Sequence, residues 1–296
     1  MLLIRPTKIT PGMVTASNAG QADPAYSGAA TYNLNERVFF PDNGKTYECI
    51  EGPVTGVSPV SKDGPLHWLL AGPSNRWAMF DDETSTSTET AGDLTTTVVF
   101  PGRINAVAFF GLVGQAIEVT QRSSAGVVLS QFSRSLKTQP ADWYEYFFSE
   151  PEQIPDVVFA GLVPSSGSRL EIKITGPAAC TSIVAGSTFD LGEAQYGAST
   201  SITDYSRKST TADGVQSFTR GRFSRRMSMR LEQPRERYPS VQRVLESVRA
   251  TPCVWLGVPG SEAYSPMTIY GYYRDFSIEV SYSTTHLCSL EIESLT

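Results

Sequence analysis

Apolar and polar positions along this chain keep changing their period, and short runs with a repeat of two dominate. Leu2 to Ile4 forms a brief opening strand, and Thr15 to Ala30 has no periodicity and reads as a loop. Arg37 to Phe40 and Thr46 to Glu51 are strand candidates on either side of Asn43-Gly44, the strongest hairpin signal in the chain. Asp81 to Thr97 turns acidic and Ser/Thr-rich, the pattern of a solvent-facing loop or an edge strand, with a loop leading into a strand at Thr95 to Phe100 as the favoured reading. Apolar runs then follow at Ile104 to Leu112, Ala116 to Thr120, Val127 to Phe132, Trp143 to Phe148, Val157 to Leu162 and Leu170 to Ile174, with Gly- and Ser-rich turn signals between them. Short strands at regular spacing predict an antiparallel β-sandwich of jelly-roll proportions, with Trp143 to Phe148 among its strands. Leu170-Glu171-Ile172-Lys173-Ile174 alternates strictly, so one face of that strand meets solvent.

The last third has a different pattern. Phe223, Arg225, Met227, Met229 and Leu231 share one parity, and Ser224, Arg226, Ser228 and Arg230 the other. That is a strand with an apolar face, interrupted by Arg225, and a basic, polar face. After Tyr238-Pro239-Ser240, Val241, Val244, Leu245 and Val248 fall at i, i+3, i+4 and i+7, the only convincing helical stripe. Strands resume at Cys253 to Val258, Thr268 to Tyr273, Asp275 to Tyr282 and Leu287 to Ile292. The expected fold class is mainly β in three parts: a small turn-rich β module within residues 1–80, a central sandwich over 81–198, and a C-terminal β-rich α+β domain with one helix over 199–296.

Composition agrees with this picture. Of 296 residues, 40% are hydrophobic and 18% charged, too apolar for a disordered chain, and 24 Gly with 19 Pro favour short strands and tight turns. The longest apolar stretches fall well short of a bilayer span, so no membrane insertion is expected. Met1-Leu2-Leu3-Ile4 runs at once into Arg5-Pro6, without the apolar core of a signal peptide. Cys49, Cys180, Cys253 and Cys288 form no CxxC pair and sit beside apolar neighbours, the pattern of small buried hydrophobes and not of a disulfide framework or metal site.

Known catalytic motifs are missing: no GxGxxG, P-loop, HExxH or GxSxG occurs. His67 and His286 lack a nucleophile context, and Asp81-Asp82-Glu83 reads as a solvated acidic loop. No catalytic residue, metal ligand or cofactor site is therefore expected. Charge is uneven, however. The whole chain carries −6, yet Arg207 to Arg249 holds eleven basic residues against four acidic ones. Aromatic residues are not interleaved as base-stacking platforms, so contact between copies is favoured over nucleic acid. Arg222, Arg225, Arg226 and Arg230 are the candidate assembly residues. Tyr32, Tyr47 and Trp68 are candidate sugar-stacking rings, with a role in the module's own core as the competing reading. Trp77 is expected to pack between domains.

Tyr32-Asn33-Leu34-Asn35-Glu36-Arg37-Val38, Gly44-Lys45-Thr46-Tyr47-Glu48-Cys49, Pro59 and Pro65-Leu66-His67-Trp68 together resemble the small chitin-binding type of carbohydrate-binding module. Asn35 stands where that family usually has Gly. The resemblance implies the module's β-fold and, through Tyr32, Tyr47 or Trp68, a host glycan as ligand. Leu3-Ile4-Arg5-Pro6, Asn75-Arg76-Trp77-Ala78-Met79-Phe80-Asp81, Ile269-Tyr270-Gly271-Tyr272-Tyr273-Arg274-Asp275-Phe276 and Cys288-Ser289-Leu290-Glu291-Ile292 resemble tailed-bacteriophage virion proteins. That resemblance implies a structural component of a tail or baseplate, made in the host cytoplasm. Such a component is assembled with other tail proteins and with copies of itself in a ring. A glycan-binding tail module is the alternative, and a polysaccharide-degrading tail enzyme a weaker one.

Overall fold

The computed structural model describes residues 1–140, 142–210, 213–260, 262–279 and 284–295. About half of the chain is strand and little is helix, as the period-two runs predict. It divides into two compact units, one of residues 8–184 and one that joins residues 1–7 to 185–296.

Within residues 8–184, the turn-rich module forms a three-stranded sheet in the order Arg37–Phe40, Lys45–Cys49, Trp68–Pro73. The predicted hairpin turns at Gly44, whose φ of 70° suits glycine, and Asn43 Oδ1 accepts the Lys45 N–H at 3.0 Å. Gly44 also lacks the Cβ that would strike the Trp77 ring. Trp77 thus covers the hairpin turn and lies 5.3 Å from the Phe80 ring, both within the same unit. Asn35, at the position where the resembled family carries Gly, adopts φ 68°, a conformation that asparagine tolerates better than most residues.

The sandwich's larger layer is a five-stranded antiparallel sheet in the order Val128–Ser135, Ala116–Arg122, Ser168–Thr175, Leu94–Phe100, Val14–Ser17. Leu170, Ile172 and Ile174 point inward as their alternation requires. On the other face, Glu171 pairs with Arg122 at 2.8 Å and Lys173 with Asp93 at 3.3 Å. The strands Ala106–Phe110 and Val157–Ala160 pair with each other, and every residue of the first is buried. Phe159 stacks on Phe132 of the five-stranded sheet at 5.2 Å, which ties the two layers together.

One apolar run departs from its expected state: Trp143–Phe148 is a six-residue helix, not a strand. Asp142 caps it by accepting the Glu145 N–H at 2.8 Å, and an acid three residues after the cap suits a helix start. Five aromatic residues broken only by Glu145 do not distinguish the two states by periodicity, and here local capping decided.

Among the described residues of the other unit, the strands pair antiparallel. The strand Leu2–Pro6 lies between residues 186–190 on one side and Cys253–Leu256 on the other. Thr268–Glu279, Thr285–Ser294 and Phe223–Pro234 continue the sheet in that order. The opening strand and residues 185–198 therefore belong with the C-terminal residues, whereas the sequence suggested a unit of 199–296 alone. The runs expected at Thr268 to Tyr273 and Asp275 to Tyr282 are one strand as far as Glu279, with Arg274 as the extra residue of a bulge, and Tyr282 falls outside the described residues. The helix Tyr238–Ser247 forms where its stripe predicts and buries Val241 and Leu245, with Val248 just beyond its end. These residues meet Leu3, Met229, Leu231, Trp255, Ile269, Leu290 and Ile292 in one core.

Candidate functional site

The basic segment builds a long hairpin, here called the arm. Its base pairs Ser199–Asp204 with the first half of Phe223–Pro234, in register from Ser199↔Ser228 to Asp204↔Phe223. Farther out, Arg207–Thr210 pairs with Gln216–Thr219, from Arg207↔Thr219 to Thr210↔Gln216. Between the ribbons, Tyr205 and Ser206 face Arg220, Gly221 and Arg222, a bulge that bends and twists a ribbon. The bulge has its own hydrogen bonds: Tyr205 N–H donates to the Arg222 carbonyl at 2.9 Å, and Gly221 N–H donates to Ser206 Oγ at 2.9 Å. Two hydrogen bonds from Ser206 hold the Asp204 carboxyl below the usual carboxylate range. A Cβ at Gly221 would sit 2.5 Å from the Tyr205 carbonyl, so the close crossing needs glycine.

Each described residue of the outer ribbon is exposed. The arm also displays apolar side chains: Ile202, Val215 and Phe218 are 64–74% exposed, and Tyr205 and Phe223 are about half exposed. Lys208 lies over the Phe218 ring and Arg225 over the Phe223 ring, each 5.9 Å from the centroid.

Of the four candidate arginines, Arg222 is exposed in the bulge and Arg230 is exposed further along the strand. Arg225 is half-buried beside Phe223. Arg226 has an internal task at the arm's base, where its guanidinium lies 3.2 Å from the buried Glu293 carboxylate. Arg274 approaches the same carboxylate at 3.4 Å, and Ser224 Oγ donates to it at 3.3 Å. The strand's predicted parity holds for Met227, Met229 and Leu231, which are buried, and inverts at Phe223 and Ser224. Phe223 is exposed there while Ser224 is buried against Glu293.

The proposed sugar-stacking rings occupy another environment. Tyr32 is 7% and Trp68 4% exposed, packed edge to face at 5.2 Å in a small core with Val38, Cys49 and Val54. Trp68 Nε1–H donates to the Val57 carbonyl at 2.9 Å, and Tyr32 OH donates to the Ser27 carbonyl at 3.2 Å. A ring inside a core offers no flat face to a sugar, so burial corrects the stacking role for Tyr32 and Trp68 in favour of the core reading. Tyr47 is half-buried, and its hydroxyl accepts from Asn43 Nδ2 at 2.8 Å.

The remaining candidate chemistry is dispersed. Asp81 is engaged by its own loop: Thr86 Oγ1 donates to it at 2.7 Å and the Glu83 N–H at 2.9 Å, while burial pushes its carboxyl up. His67 Nδ1 lies 3.5 Å from Glu51, and His286 is buried beneath the Tyr238 ring at 6.1 Å. Among the described residues, no three His, Cys, Asp or Glu side chains gather as metal ligands would. No described helix is long and apolar enough to cross a membrane.

All four cysteines are unpaired and buried. Burial pushes the thiols of Cys180 and Cys253 up to about 12 and raises that of Cys288. The thiolate is the reactive form, so a raised pKa and a closed core both oppose modification. In the native protein a disulfide-exchange reagent at mildly alkaline pH should leave these three unreacted, and in guanidinium all should react. Rapid labelling of the native chain would contradict their burial.

The arm's apolar side chains had no signal in the sequence as surface features. Between Ser199 and Gly221 they are isolated and appear at both parities, which is the pattern of a ribbon without a core face.

The chain matches no protein-family model and no curated protein. Among solved structures it is similar to an arabinose-bound GH51 α-L-arabinofuranosidase, with 13% identity and a TM-score of 0.19 over 64% of this chain and 31% of that one. It is similar also to a GH2 β-galacturonidase from Eisenbergiella tayi bound to glycerol, with 13% identity and a TM-score of 0.20 over 69% of this chain and 30% of that one. The chain thus spans about a third of the length of these enzymes, and likenesses with such TM-scores carry no argument about fold or activity.

Proposed function

We propose that this chain is a structural building part, not a catalyst, which assembles in several copies with itself and with other proteins of a tailed-bacteriophage tail or baseplate. The observation that carries the assembly reading is the arm. A two-stranded ribbon without a covering core is marginally stable in water. This one nevertheless holds Ile202, Val215 and Phe218 out to solvent among Arg207, Lys208, Arg220 and Arg222. Seating it on another protein would bury those side chains and set the cations against acidic groups of that protein. The tail or baseplate setting comes from the resemblance at both ends of the chain, from Leu3-Ile4-Arg5-Pro6 to Cys288-Ser289-Leu290-Glu291-Ile292.

Sedimentation velocity of the full chain tests the assembly. The wild type should form species heavier than 32.2 kDa whose share grows with concentration. Phe218→Ser with Phe223→Ser should shift the population to monomer, while the unfolding free energy changes by no more than about 0.5 kcal/mol, as for other exposed positions. A wild type that stays monomeric at every concentration would overturn the proposal.

A further inference from the structure

The helix Trp143–Phe148 belongs to a loop that leaves the sandwich and returns to it at one point. Thr138 N–H donates to the Glu152 carbonyl at 2.9 Å, Glu152 N–H donates to Thr138 Oγ1 at 2.9 Å, and Lys137 and Gln153 form a bridge. Beyond that clasp, Trp143, Tyr144, Tyr146, Phe147 and Phe148 are each 64–78% exposed. The rings pack on one another: Trp143 stacks on Phe147 at 6.3 Å and Tyr144 lies 4.9 Å from Phe148. Five such rings present roughly 500–900 Å² of aromatic surface to solvent. That is at or above the largest apolar patch of an ordinary monomer (about 300–600 Å²) and close to one side of a standard interface (about 800 Å²).

Charge narrows the choice of partner. Asp142, Glu145, Glu150 and Glu152 surround the rings, and no Lys or Arg occurs from Thr138 to Ser168. Glu145, Glu150, Glu152 and Tyr146 line a hollow of about 440 Å³ beside the helix. Such a surface repels anionic lipid and suits an apolar ligand that carries guanidinium or ammonium groups. The arm has that chemistry, with Phe218 and Val215 among Arg207, Lys208, Arg220 and Arg222.

We propose that the acidic aromatic helix of one copy is the docking site for the basic arm of a second copy. This rests on the assembly reading above and gives it a partner surface. The contact joins two different surfaces, head to tail, so repetition closes a ring or extends a filament.

Two paired charge reversals test it in the full chain by sedimentation and thermal unfolding. Glu150→Lys with Glu152→Lys, and separately Arg220→Glu with Arg222→Glu, should each weaken self-association about ten- to hundredfold with unchanged melting. All four reversals in one chain should restore association to within about threefold of wild type, because the charges again match. Wild-type association that either double reversal leaves undiminished, or that the fourfold variant fails to regain, overturns the docking site while the assembly reading stands. Binding of the wild type to anionic or zwitterionic vesicles that Phe147→Ser abolishes, without any change in self-association, also overturns it. A wild type that never associates removes both.

Discussion

Trp255→Ala should be the most damaging single truncation in the unit formed by residues 1–7 and 185–296. The indole is fully buried, and its Nε1–H donates to the Gly271 carbonyl at 2.9 Å. Its ring meets Tyr273 edge to face at 6.1 Å, and the Tyr273 hydroxyl donates to the Leu245 carbonyl of the helix at 3.1 Å. Loss of the indole therefore opens a cavity, removes a buried hydrogen bond and loosens the ring that ties helix to sheet. Aromatic-to-alanine changes in cores cost about 3–5 kcal/mol, against a usual total stability of about 5–15 kcal/mol. Urea unfolding followed by far-ultraviolet circular dichroism should show that loss. Trp255→Phe separates the two contributions, because it fills most of the volume and forfeits only the indole hydrogen bond, about 0.5–1.5 kcal/mol. If Trp255→Ala unfolds at the wild-type urea concentration, Trp255 does not hold this core.

How much of this could be read in advance depended on whether a signal was local. The helix Tyr238–Ser247 was legible because its stripe at Val241, Val244 and Leu245 is read from consecutive turns, and the Gly44 turn because Asn43-Gly44 fixes its own dihedral angles. The alternation from Leu170 to Ile174 likewise shows its buried face without knowledge of the neighbours. Partner choice was hidden. Nothing in Leu2-Leu3-Ile4 says that this strand pairs with Cys253–Leu256, some 250 residues later, because pairing is decided by which sheet has an open edge. Trp143–Phe148 was ambiguous for a different reason: five aromatics broken only by Glu145 have no clear period, so Asp142 and Glu145 at the helix start were the local cues. At the candidate site, the positive charge of the segment was plain, whereas its division was not. Arg226 turns to Glu293 because Glu293 and Arg274 arrive from separate strands, a meeting with no trace in the basic segment itself. Tyr32 and Trp68 are typical of a small module, where a few large rings must provide most of the core.

The opening strand also bears on stability, and Leu3→Asp should exceed even Trp255→Ala in effect. Leu3 is fully buried, opposite Phe189 on one side and Trp255 on the other. A carboxylate there loses its water and finds apolar neighbours, since Met229, Leu245, Ile269 and Leu290 belong to the same core. Burial of an unpaired charge belongs to the exceptional class of substitutions that cost about 4–5 kcal/mol or more, a large part of the stability available. Protonation would relieve the charge without restoring the lost packing, so acid should recover only part of the loss. The expected outcome is detachment of the strand Leu2–Pro6 from the sheet. Amide hydrogen exchange should then accelerate in residues 186–190 and 253–256, which pair with it directly. Leu3→Met keeps the volume and should change stability by less than about 1.5 kcal/mol. Wild-type exchange rates at both flanking strands in Leu3→Asp would mean that the first residues do not complete this sheet.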